Sequence, residues 1–181
     1  MATVMKSVEL LKSASDLAFA ELNTALAGVT EGQAWAVLPP AADDYLHSDG
    51  SVHGITLHVA TCKKLYGSCA FRGLEIRWRD LADEVEKFEP SWPAAIEYLP
   101  KAQKYWLDTW ADLTDDDLDR EFPRFRGELW PAWKLIETVI QHDVYHAGQI
   151  AVIRYATLES DVPPPSVAED IRKYCADLPS W

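Results

Sequence analysis

At 181 residues the chain has the length of a single domain with a sizeable buried core. With 48% hydrophobic and 25% charged residues, it lies well away from the composition of disordered chains. Acidic residues outnumber Lys and Arg by 29 to 17, for a formal net charge of −12, a surface that phosphate backbones and anionic membranes repel, so nucleic acid is excluded as an expected partner.

No run approaches the roughly 20 apolar residues of a membrane span, and residues 1–20 hold no signal-peptide core. Cys62, Cys69 and Cys175 stand at spacings that fit neither a zinc ribbon nor a redox pair, which suits a reducing cytosol. The expectation is a cytoplasmic protein of one domain over residues 1–181, with no membrane partner.

In chain order, apolar residues at Val4, Val8, Leu11, Ala18, Leu22, Ala25 and Leu26 recur at helical spacing, predicting a first helix over residues 3–27 that Gly28 ends. Residues 29–50 hold Pro39, Pro40, Asp43, Asp44, Asp49 and Gly50, too many turn formers for a continuous helix. They read as a long crossover with Trp35, Val37 and Leu38 packed inward. Ser51 is an N-cap for a second helix reaching about residue 71, locally weakened by Gly67. Residues 74–90 fit a short helix or an extended loop equally well.

Ser91 before Trp92 and Pro93 marks the start of a third helix, which runs to about residue 113. An acidic turn follows at 114–119, then a short extended aromatic piece at 122–127. The fourth helix spans 131–158, and Pro163, Pro164 and Pro165 forbid its continuation. Residues 166–176 are expected to form a last short helix. The expected fold class is therefore all-α: a four-helix bundle with a long first crossover connection and a short C-terminal helix, an architecture that builds its sites between facing helices.

The chemistry concentrates in two of these helices. His142 and His146 lie one turn apart on one face of the fourth helix, on the stripe that carries Leu135, Val139, Gln149 and Ile153. Two imidazoles turned into a core cost free energy that metal coordination recovers. His58 occupies the inward stripe of the second helix beside Ile55 and Leu65. Three inward histidines from two helices, His58, His142 and His146, are read as ligands of one divalent metal ion.

His53 falls about 140° from His58 around the helix and is expected to be exposed, as is His47 in the crossover. Cys62 is in reach as a thiolate fourth ligand, although a small buried apolar side chain is the blander and favoured reading for both Cys62 and Cys69. Gln149 is aligned to orient an imidazole, whereas Asp143 and Tyr145 point about 80° to either side of the pair. Lys63, Lys64 and Arg154 read as solvated or rim residues. Asp143 stands where the zincin signature needs Glu, which disfavours proteolysis, and no phosphate loop, nucleophile elbow or dinucleotide fingerprint is present.

The segments Gly54-Ile-Thr-Leu-His58-Val-Ala and His142-Asp-Val-Tyr-His146-Ala-Gly-Gln-Ile150 resemble those of the DinB superfamily, which includes the YfiT-like proteins. Carried over residue by residue, the resemblance implies a triad of His58, His142 and His146, nickel or zinc as the metal, and a homodimer. It also implies transferase or isomerase activities that use low-molecular-weight thiols. Trp106, Trp110, Trp130 and Trp133 are available to line a pocket, although core packing is the commoner role for tryptophan.

Three neutral histidines leave an open position, as in catalytic rather than structural zinc. The leading expectation is thus a metal-dependent enzyme acting on a small-molecule substrate, of thiol-dependent transferase or hydrolase type. The alternatives are a non-enzymatic metal-binding stress-response protein whose site Cys62 closes, and an interaction module without metal.

Overall fold

The computed structural model describes residues 6–37 and 49–157. His47, Cys175, Leu38, the three prolines and the expected last helix lie outside them. The described residues are mostly helical: α1 (Ser7–Leu26), α2 (Glu31–Trp35), α3 (Val52–Phe71), α4 (Trp78–Val85), α5 (Trp92–Thr109) and α6 (Ala132–Ala156), with strands β1 (Glu121–Pro123) and β2 (Leu129–Pro131) between the last two helices. None of these helices is long and apolar enough to cross a membrane.

The helix starts follow the local chemistry that the sequence advertises. Ser51 Oγ accepts the Gly54 N–H at 2.9 Å and Ser91 Oγ accepts the Ala94 N–H at 3.3 Å, each satisfying a first-turn donor that has no partner within the helix. Within α5, Pro100 removes one backbone donor, but it lies on the exposed side, where water replaces the lost bond. The ambiguous stretch after Gly73 resolves as α4, which buries Leu81 alone. The extended aromatic piece becomes the β1–β2 hairpin, with Phe122 opposite Trp130.

In the expected crossover, α2 is a short helix capped by Thr30, whose side chain accepts from the Gln33 N–H. The inward placement of Trp35 and Val37 is not found, since both are 41% exposed. Trp35 instead lays one face on the His53 ring, centroids 4.0 Å apart, and donates its indole N–H to Glu31 at 2.9 Å.

Packing runs from α1 onto α6, α6 onto α3 and α3 onto α5. Helix α3 also touches α2, α4 and β1 and is buried almost all round, as a helix at the centre of a fold is expected to be. The apolar core falls into two clusters. One gathers Leu22, Ile55, Val59, Leu99, Ile150 and Ile153, the other Tyr66, Trp106, Trp110, Leu135, Ile136 and Val139. In α1, α3, α5 and α6 the residues between these clusters include a buried polar one: Ser15, Lys63, Gln103, and Asp143 with His146. A polar layer therefore crosses the middle of an otherwise apolar interior.

Candidate metal centre

His58 projects from α3, and His142 and His146 project one turn apart from α6, so the packing of these two helices brings all three rings together in the polar layer. Nε2 of His58 lies 3.0 Å from Nε2 of His142, which in turn lies 3.1 Å from Nε2 of His146. The ring centroids of His58 and His146 are 4.9 Å apart. Nitrogens bound 2.0–2.1 Å from one ion stand roughly 2.9 Å apart at a right angle and roughly 3.3 Å apart at the tetrahedral angle. The two measured separations fall between these values, so the donor set fits a divalent ion.

The surroundings prepare the rings for that role. Nδ1 of His146 donates to Gln149 Oε1 at 2.6 Å, and the Gln149 amide donates onward to the Tyr145 hydroxyl at 3.0 Å. A ring whose Nδ1 carries the proton presents a bare lone pair at Nε2, the usual tautomer of a ligating imidazole held by an outer acceptor.

Cys62, one turn beyond His58, holds its Sγ 3.6 Å from His58 Nε2, about the tetrahedral edge between a thiolate and an imidazole ligand. His58, Cys62 and His142 have donor atoms within 4.8 Å of one another, close enough to hold a metal ion. Burial pushes the Cys62 thiol up to about 12, against the pull of Lys63. Even with that pull, the group is protonated at neutral pH.

Two placements differ from the sequence expectation. Lys63, expected at the rim, is fully buried, and its Nζ pairs with Asp143 Oδ2 at 2.5 Å; Asp143 is only 1% exposed. Burial drives both groups toward their neutral forms, lowering Lys63 and raising Asp143, and the mutual attraction opposes it in each case. His53, expected to be exposed, is 2% exposed because α2 and Trp92 cover it, and burial lowers its pKa. In both cases α3 offers no solvent face to which an off-stripe side chain can turn. Of the tryptophans, Trp106 and Trp110 are core residues, and Trp133 is 40% exposed.

A cavity of about 790 Å³ opens over the centre. His58, Cys62 and His142 line it from one side, and the hairpin residues Arg124, Phe125 and Arg126 from another. Sequence reasoning noticed the hairpin only for its aromatic alternation. The arginines interleaved there, Arg124 and Arg126 around Phe125, were the available signal.

No curated protein matches the chain in sequence. The model of the DinB superfamily matches residues 16–150, a span that runs from α1 into α6 and takes in both histidine segments. With most of its length covered by that match, the chain belongs to the DinB superfamily, a family known for binding metal.

Proposed function

We propose that the chain binds one divalent ion, nickel or zinc, through His58, His142 and His146, and works as a metal-dependent enzyme on a small-molecule substrate. The observation that supports this reading is the meeting of three Nε2 atoms at 3.0 and 3.1 Å beside a cavity large enough for a metabolite. Three imidazoles leave coordination positions for a water or a substrate thiol.

When bound, the ion supplies Lewis acidity that makes such a group nucleophilic at neutral pH. The chain's own contribution is positional. Gln149 fixes the His146 tautomer, the Lys63–Asp143 pair holds α3 against α6, and the cavity walls orient the substrate. A thiol-dependent transferase with a low-molecular-weight thiol, or a hydrolase, fits this arrangement.

A second reading is favoured by the 3.6 Å approach of Cys62 Sγ to His58 Nε2. With Cys62 as fourth ligand the site closes, and the protein is a non-enzymatic metal-binding stress-response module. Elemental analysis of the purified protein separates the readings. About one ion per chain is expected, lost in His58→Ala, His142→Ala and His146→Ala and kept in His53→Ala. Retained affinity in Cys62→Ser supports the open site, and a large loss supports the closed one. Wild type without bound divalent metal after incubation with nickel or zinc refutes both.

The long helices α1, α3, α5 and α6 are read as a four-helix bundle. A homodimer is part of the same proposal. Leu10, Leu17, Val152 and Tyr155 on the mutually packed α1 and α6 are each at least 59% exposed, and an apolar face of this kind suits a second copy.

A further inference from the structure

The lining of the large cavity has a charge opposite to that of the chain. Acidic residues exceed basic ones by 29 to 17 overall, yet among its described lining residues the cavity has two arginines, Arg124 and Arg126, and no carboxylate. Arg124 is anchored. Its Nη1 donates to Glu128 at 2.9 Å, its guanidinium lies 4.5 Å from the Trp130 ring, and the Tyr66 phenol faces it. Its Nε is buried with no hydrogen-bond partner among the described residues.

Arg126 is exposed and has no hydrogen bond or ion pair among the described residues. Its guanidinium lies 5.5 Å from the Phe125 ring. The Arg126 guanidinium offers donors that an incoming oxyanion takes in charge-assisted bonds, next to the second positive charge of Arg124, whose side chain is 22% exposed. Between the arginines and the histidine floor the lining is apolar and aromatic, with Leu65, Tyr66, Leu74, Trp78 and Phe125. Leu74 is held there at a backbone φ of 64°, a left-handed conformation costly for a branched side chain. Such strain gathers where surroundings hold a side chain for use.

We infer that the substrate is a small organic acid: an apolar or aromatic body in the Trp78–Phe125 section of the cavity, a carboxylate or phosphate read by Arg124 and Arg126, and its reacting end turned toward His58 and His142. The orientation of the reacting end rests on the metal reading above. Recognition of the acid does not.

Calorimetric titration of the chelator-treated protein therefore tests the inference by itself, with 3-phenylpropionate, phenyl phosphate and the uncharged 3-phenylpropanamide as probes. One of the two acids is expected to bind about tenfold or more tightly than the amide, and whichever binds more tightly identifies the acid class. Arg124→Gln and Arg126→Gln each bring the acid toward the amide without changing amide binding, and Arg126→Glu reverses the preference. Because Arg126 is exposed, its variants fold whether or not Arg124→Gln disturbs the hairpin. His142→Ala keeps the preference for the acid, so loss of metal binding and loss of acid recognition are read separately. Equal binding of acid and amide by wild type, or an acid preference that survives Arg124→Gln/Arg126→Gln, overturns the inference.

Discussion

Replacing Lys63 by Met removes a cation from the interior while keeping most of the volume of its stem. Asp143, 1% exposed, then loses the one ion pair it has among the described residues, and its Oδ1 already has no hydrogen-bond partner among them. An unpaired carboxylate in that position avoids burying its charge by taking up a proton. For a group with a reference pKa near 3.9, holding the proton at pH 7 costs about 1.36 × 3.1, or roughly 4 kcal/mol. That figure agrees with the ~3–5 kcal/mol typical of breaking a buried pair from one side.

The sign with pH follows from the same reasoning. In the variant the folded pKa of Asp143 lies above the unfolded one, as burial already favours, so the folded state binds the extra proton and stability falls as pH rises. Urea denaturation of wild type and Lys63→Met should differ by about 4 kcal/mol at pH 7 and by only about 1.5 kcal/mol at pH 5. The double variant Lys63→Met/Asp143→Leu, which leaves no stranded charge, should recover most of the loss. A difference below about 1 kcal/mol at pH 7, or one that does not change with pH, would show that Asp143 is not a buried charge held by Lys63.

The remaining predictions address other parts of the fold. His53, with Asp49, Glu89 and Glu31 around it, still has its pKa lowered by burial, so the unfolded chain binds its proton first. Its contribution is complete above about pH 6.5 and is lost as pH falls. Chelator-treated His53→Phe should lose less stability than wild type between pH 7 and pH 5, and parallel pH profiles would refute this. An alanine Cβ at Gly67 would sit 2.9 Å from Thr109 Cγ2 and Oγ1, and the Thr109 hydroxyl is tied to the Trp106 carbonyl at 2.7 Å. Gly67→Ala should therefore lose about 1 kcal/mol net, overpacking outweighing the gain in helix propensity, and an unchanged or raised Tm would contradict it. Sedimentation should show a species of twice the 20.4 kDa chain mass that Leu17→Glu converts to monomer; a monomeric wild type at micromolar concentration would remove the dimer.

Much of the helical layout was legible in the sequence because its signals are local. Ser51 and Ser91 cap the helices they were expected to cap, and the fourth helix was placed within two residues at either end. The stripe holding Leu135, Val139 and His146 faces inward as its spacing implies. Reasoning by stripe failed on α3, where His53 and Lys63 were set outside a face that does not exist, because neighbours surround that helix on nearly all sides. Periodicity reports how one helix is exposed, and it carries no information on how many partners enclose it. The Lys63–Asp143 pair is a contact between residues eighty positions apart, for which neither local sequence contains a marker. Gly67 shows the same blindness: from sequence it weakens a helix, and in the fold it admits α5.

The polar layer across the interior has a further consequence for how α3 and α6 are aligned. Two apolar helices can slide past each other by a turn, about 5.4 Å, and still find leucines and valines to pack against. Here a slide of α6 by one turn would set Val139 or Ala147 opposite the Lys63 ammonium and leave Asp143 among apolar neighbours, two uncompensated charges instead of one pair. Alternative alignments are thus raised in energy by residues that the native alignment satisfies, as a single buried polar position does in a coiled coil. The same slide would carry His142 and His146 away from His58. The axial position at which three imidazoles meet is therefore guarded by a lysine and an aspartate, not by the imidazoles themselves.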